Sequence, residues 1–142
     1  MILYALDTDM LSLFEGGHPI VTMRVLSVLA DQLFITSITV RERLDGWYGL
    51  LGRVKTSADE EAIYARLVDT VRICASVRIL PYTIGAITRF QQLQKMKLNV
   101  GLMDLRIAAV ALEHNAILVT RNLRDFSRVP GLRFEDWSQA ES

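Results

Sequence analysis

Apolar residues along this chain fall into short blocks separated by longer stretches of helical spacing. Residues 2–6, 33–37, 77–80 and 116–119 are compact apolar runs, and each predicts a buried strand. Met10, Leu11, Leu13 and Phe14 predict a short helix that Gly16-Gly17 stops. Pro19 opens a second helix, since proline is pre-set for the first helical position, with Val21, Val25, Val28 and Leu29 as its inner stripe. After residues 33–37 a helix runs through Trp47, Tyr48, Leu50 and Leu51 to about Val54. Ser57 and Glu60 have capping-box spacing and open a long helix with Ile63, Leu67, Val71 and Cys74 inward. Pro81 ends the third strand, and Ala86, Ile87, Phe90 and Leu93 mark the next helix.

Leu105, Ala108, Ala109 and Leu112 recur at i, i+3, i+4 and i+7, one face of a further helix. Asn115 follows the last periodic residue, where a left-handed residue commonly closes a helix. Val129-Pro130-Gly131 is a turn, residues 132–134 predict an edge strand, and a polar tail follows, anchored by Trp137. Strands alternating with helices make an α/β class with a parallel sheet covered on both faces. No repeat, low-complexity segment or linker interrupts the pattern, so residues 1–142 read as a single domain.

Composition narrows the class. The chain has 142 residues, 51% apolar and 23% charged, enough for a sizeable core. No apolar run reaches a membrane span, and no basic leader with a cleavage site precedes the first strand, so the expected location is cytoplasmic. Cys74 has no thiol partner, which excludes an internal disulfide or a cysteine zinc site; it reads as a small buried hydrophobe. Net charge is zero, but residues 85–133 carry eight Lys/Arg against three Asp/Glu. That local excess is compatible with a polyanionic substrate and equally with a solvated face.

The acids change the picture most. Asp7 and Asp9 follow the first strand, Glu42 opens the helix after the second, Asp104 opens the helix before the strand at 116, and Asn122 and Asp125 follow that strand. In an open parallel sheet, groups beyond the carboxyl ends of the strands converge on one crevice. Carboxylates crowded there repel unless a cation neutralises them. Oxygen ligands without His or Cys select Mg²⁺ or Mn²⁺, and such a site can orient and activate water against a phosphodiester. Taken singly, each acid has a plainer reading. Asp7 and Asp9 could cap the short helix, Glu42 could be a solvated helix acid, Asp104 could favour the helix dipole, and Asp125 could cap a turn. Only the shared site accounts for all the placements together. His18 and His114 are isolated and read as structural or surface residues; no Walker loop or serine elbow is present. Trp47, Tyr48, Leu50 and Leu51 read as core, with any exposed part a partner or dimer surface.

Four blocks in register resemble the PIN-domain ribonucleases, and more narrowly the VapC-type toxins of bacterial toxin–antitoxin systems. They are Leu6-Asp7-Thr8-Asp9, Thr39-Val40-Arg41-Glu42, Gly101-Leu102-Met103-Asp104 with Ile107-Ala108-Ala109, and Thr120-Arg121-Asn122-Leu123-Arg124-Asp125-Phe126. The closing stretch 129–137, from Val129 to Trp137, is similar too. The resemblance implies a PIN-like central parallel sheet of four to five strands flanked by helices on both faces. It implies a Mg²⁺-dependent endoribonuclease cutting structured RNA, often tRNA or rRNA, and a homodimer silenced by a cognate antitoxin in its cleft. By the same resemblance Asp7, Glu42 and Asp104 are metal carboxylates, and Asp125 or Asn122 completes the site. Asp7 and Asp104 would hold the main ion, with Glu42 and the fourth group positioning a second ion or its waters. Thr8 and Thr120 would orient carboxylates or phosphate, with Asp9 supporting. Arg41, Arg43, Arg106, Arg121 and Arg124 are candidates for RNA backbone contacts.

Two other readings compete. Asp7-Thr8-Asp9 after an apolar strand also mimics a haloacid-dehalogenase-type phosphatase with Asp7 as nucleophile; that class wants a downstream lysine and a later acidic pair, where this chain has Thr120-Arg121-Asn122. A non-catalytic module that binds RNA or protein would leave every acid a helix cap.

Overall fold

The computed structural model describes residues 1–140, and the last two residues of the expected polar tail, 141–142, lie outside the described residues. Five parallel strands form one sheet: β1 (Leu3–Leu6), β2 (Leu33–Thr36), β3 (Arg78–Leu80), β4 (Ala116–Val119) and β5 (Phe134–Glu135), in the order β3-β2-β1-β4-β5. Seven helices are described: α1 (Thr8–Glu15), α2 (Pro19–Leu26), α3 (Ser37–Leu51), α4 (Ser57–Ala75), α5 (Ile84–Lys95), α6 (Leu102–Glu113) and α7 (Leu123–Phe126). From β1 the chain builds outward through β2 to β3, then returns to the other side of β1 with β4. The strand order therefore reverses between β1 and β4, where a crevice opens beyond the carboxyl ends.

The central strands are greasy because both faces are covered. Ala5 and Leu118 pack on one face with Phe90, Leu105, Ala108, Ala109 and Phe126; Leu6, Ile35 and Val119 pack on the other with Met10, Leu11, Val21, Val25 and Trp137. Alternate residues of a strand point to opposite faces, so neighbours in sequence serve different cores. Asn115 takes φ 53, the left-handed turn that lets α6 run straight into β4. Trp137 is 2% exposed and tilts against Tyr4 with ring centroids 5.1 Å apart, so it does anchor the tail. Among the described residues no helix is long and apolar enough to cross a membrane.

Several local expectations are corrected. Strand β2 stops at Thr36, whose hydroxyl oxygen caps α3 by accepting from the Thr39 N–H at 3.2 Å, so Ser37 is helical. Helix α4 is capped by Thr56, not Ser57, through the Asp59 N–H. Of its expected inner stripe Cys74 is buried and Ile63 and Leu67 are half-buried, but Val71 is 60% exposed and Thr70 is buried beside it. The cause is that α4 packs chiefly on α3, where the Thr70 hydroxyl oxygen accepts the Trp47 indole N–H at 2.8 Å. Leu29 lies beyond the end of α2 and is exposed. Helix α3 ends at Leu51, and Tyr48 and Leu50 are exposed rather than core, with Trp47 and Leu51 half-buried. Strand β5 begins at Phe134, because Leu132 is spent in the turn, where it is buried.

Candidate active site

The sheet brings its carboxylates to the β1/β4 switch point. Asp7 follows β1 directly; its N–H donates to the Val119 carbonyl at 3.0 Å, and its Oδ1 accepts the Met10 N–H at 2.8 Å as the cap of α1. The capping reading and the site reading of Asp7 thus hold together. Glu42 stands one turn into α3. Asp104 sits in the first turn of α6, which runs antiparallel to the β4 it feeds, so its N-terminal end lies at the carboxyl edge of the sheet. A cleft of about 580 Å³ is lined by Asp7, Thr8, Asp9, Ser12, Glu42, Asp104, Arg121 and Asn122.

Hydroxyl groups fix these carboxylates. Thr8 Oγ1 donates to Glu42 Oε1 at 2.7 Å and lies 3.0 Å from the hydroxyl of buried Thr39. With the single Thr8 proton committed to Glu42, Thr39 is the donor between the two threonines. Thr120 works the same way on the other side. Its Oγ1 accepts the Asn122 N–H at 2.9 Å, and its own hydrogen bond goes to Asp7.

The electrostatics register the crowding. Burial pushes the Asp7 carboxyl from its ordinary 3.8 to about 6; the bonds from Thr120 and Met10 pull it down, and the charges of Asp9 and Asp104 push it up again. Burial also raises Asp104, followed by the charges of Glu42 and Asp125. Carboxylates from the end of β1 and from α1, α3, α6 and α7 therefore feel one another.

Of the four catalytic candidates, Asp7, Glu42 and Asp104 line the cleft and Asp125 does not. Asp125 lies behind Asn122, accepting from Asn122 Nδ2 at 3.0 Å and from Arg128 Nη1 at 3.3 Å, while Asn122 lines the cleft and caps α7. Asp9 is exposed and forms a two-bond ion pair with Arg121. The other arginines are dispersed. Arg41 pairs with Asp45, Arg43 bonds Ser12 and Glu15, Arg106 lies 4.3 Å over the Phe90 ring, and Arg124 is exposed in α7. His18 caps α2 and His114 bonds the Pro81 carbonyl oxygen, so both are structural. Thr39 and Ser12 belong to the site and had no signal in their spacing.

The donor set is all oxygen, which fits Mg²⁺ or Mn²⁺. Among the described residues no group of three or more His, Cys, Asp or Glu is placed to hold a metal ion together. Mg²⁺ keeps several waters and needs only one or two protein carboxylates, so Asp7 and Asp104 are enough oxygen donors in kind.

The sequence and the fold both match known proteins. The PIN domain family matches residues 4–132. This chain belongs to the PIN-domain family. Its VapC branch supplies the relatives: the ribonuclease VapC1 of Haemophilus influenzae strain R2866 is 31% identical, over 97% of this chain and 100% of that protein. The tRNA(fMet)-specific endonuclease VapC of Salmonella typhimurium is 30% identical, over 96% of this chain and 99% of that protein. Among solved structures, VapBC-1 from nontypeable Haemophilus influenzae superposes with a TM-score of 0.77 at 25% identity, covering 97% of this chain and 100% of that one. DNA-bound VapBC from Salmonella typhimurium gives 0.75 at 28%, covering 96% and 99%.

Proposed function

We propose that this protein is the ribonuclease toxin of a VapBC-type pair: a Mg²⁺-dependent endoribonuclease that cuts structured RNA of the tRNA or rRNA kind. The observation that carries the reading is the meeting of Asp7, Glu42 and Asp104, from three separate elements, in the walls of one cleft. The VapC relatives support the ribonuclease activity, and the VapBC complexes among the structural neighbours support a cognate antitoxin. In this reading the protein is a single cytoplasmic PIN-like domain, acts as a homodimer, and is silenced by the antitoxin.

Asp7 and Asp104 would hold the ion, with Glu42 and Asn122 completing the polar wall. The bound cation would supply a Lewis acid that lowers the pKa of water and offsets charge on the phosphodiester. The chain does the rest. Thr120 and the Met10 N–H hold the Asp7 carboxylate in one orientation. Thr39 and Thr8 hold Glu42, leaving its second oxygen to accept a proton from an incoming water. Asp125 fixes the Asn122 amide at both ends, accepting from its Nδ2 at 3.0 Å and donating its own N–H to Asn122 Oδ1 at 3.3 Å. The phosphatase reading is not favoured, because Asp9, its required acid–base group, is exposed and paired to Arg121.

The test is cleavage of total cellular RNA with mapped ends, with and without Mg²⁺, by wild type and Asp104→Ala. Discrete ends that need both Mg²⁺ and Asp104 are expected; cleavage retained by Asp104→Ala would overturn the assignment.

A further inference from the structure

The cleft is built from carboxylates, yet its proposed substrate is a polyanion. Arg121 is the one cation among the described residues that line it. Its Nε donates to Asp9 Oδ2 at 2.8 Å and its Nη2 to Asp9 Oδ1 at 2.9 Å. That arrangement uses one edge of the planar guanidinium. The Nη1 protons and the second Nη2 proton lie on the other edges, outside the Asp9 contact, and a guanidinium fork matches the oxygens of a phosphodiester.

Both side chains are about half exposed, 49% and 50%. An ion pair so open to water adds little to stability. It does restrict the orientation of a long side chain at the mouth of the cleft. Asp9 sits two residues after Asp7, in the first turn of α1, with both oxygens committed to Arg121.

We propose that Arg121 is the phosphate-binding fork of the cleft and that Asp9 is the positioning residue that aims it, not a metal ligand. The assignment rests on the ribonuclease reading and specifies how that site admits its anionic substrate. Before RNA arrives, the pair is neutral and leaves the field of Asp7, Glu42 and Asp104 free to attract a cation. Once RNA arrives, the free edge of Arg121 meets a backbone phosphate beside the metal carboxylates.

The test uses the full chain and three readouts. The first is binding of a fluorescein-labelled, fully 2′-O-methylated RNA hairpin, followed by anisotropy over a range of KCl in the presence of Mg²⁺. Arg121→Gln is expected to lose roughly tenfold in affinity. It should also flatten the dependence of log K on log salt by about 0.7–1. Arg121→Lys keeps the charge without the fork, so it keeps the slope and still loses affinity. The second readout is Mg²⁺ uptake by calorimetry without RNA. Asp9→Asn leaves an uncompensated cation and weakens uptake. The double variant Asp9→Asn with Arg121→Gln restores neutrality and should return to within about twofold of wild type. The third is the cleavage rate of total RNA at saturating enzyme, where Asp9→Asn should fall roughly tenfold while hairpin affinity is not weakened.

An unchanged salt slope in Arg121→Gln overturns the fork. A double variant that stays roughly tenfold weaker for Mg²⁺ makes Asp9 a ligand and overturns the aiming role, as does wild-type cleavage by Asp9→Asn. A wild type that takes up Mg²⁺ but has no affinity for the hairpin ends the ribonuclease reading itself, and this assignment with it.

Discussion

Asp7→Asn should make the metal-free protein more stable while removing its ability to take up Mg²⁺. The Asp7 carboxyl is buried, and its pKa rises from 3.8 to about 6 on folding. A group raised in the fold contributes stability that is complete below pH 3.8 and is lost as pH climbs through about 6. At pH 8 the charged carboxylate therefore costs about 3 kcal/mol relative to a neutral group in the same place. Asparagine mimics that neutral form, and its oxygen still accepts the Met10 N–H. For a chain of this size each kcal/mol moves Tm by about 3–4 °C, so the variant should melt about 10 °C higher at pH 8. Near pH 4 the advantage should largely vanish, because the wild-type carboxyl is then mostly protonated in the fold. Thermal melts in EDTA at both pH values measure this, and the same melts with Mg²⁺ should raise wild type only. Wild-type uptake of Mg²⁺ should itself weaken as pH falls below about 6, where a proton competes for Asp7. An Asp7→Asn protein less stable than wild type at pH 8, or equally altered at both pH values, would refute the reasoning.

Thr8→Val removes the 2.7 Å bond to Glu42 and should lower Mg²⁺ affinity roughly tenfold in calorimetry with Tm little changed. Trp47→Phe leaves the buried Thr70 hydroxyl without its donor and should cost about 1 kcal/mol in urea unfolding, with Mg²⁺ uptake unaffected. Leu118→Ala empties the middle of β4, where the side chain is fully buried, and should cost about 2–5 kcal/mol by the same assay.

The central sheet was legible because its strands are buried on both faces. Residues 116–119 are apolar without interruption, and every one of them is buried. Helix α6 was equally plain as a helix, although its burial exceeds the one stripe: Ile107, Val110 and Ala111 are buried along with Leu105, Ala108 and Ala109. Legibility failed at the periphery, where a stripe has less to pack against. Val71 and Leu29 carry the right spacing and still face water, because α4 lies chiefly on α3 and α2 ends before Leu29. The polar contact between Trp47 and Thr70 joins α3 to α4 where the stripe has Val71, and no apolar periodicity encodes it. A tryptophan among leucines reads as core by composition alone, but its indole N–H needs a partner, and here the partner is Thr70.

The site was legible for a topological reason. Once strands and helices alternate in a parallel sheet, every residue after a strand and every residue opening a helix toward a strand is carried to one edge. Asp7, Glu42 and Asp104 occupy such positions, so their meeting follows from connectivity without any knowledge of side-chain conformation. The fourth position shows where that reasoning stops. Asn122 and Asp125 both follow β4, and connectivity treats them alike. What separates them is a single short turn: Asn122 caps α7 at the cleft, which rotates Asp125 behind it and onto Arg128. The Asp9–Arg121 pair, joined across 112 positions, lies further still from any spacing rule. Connectivity thus delivers the carboxylates that would hold a cation, whereas the groups that would aim a phosphate and fix an amide depend on rotamers. Those rotamers are the place to look for differences between this chain and its VapC relatives in which RNA they accept.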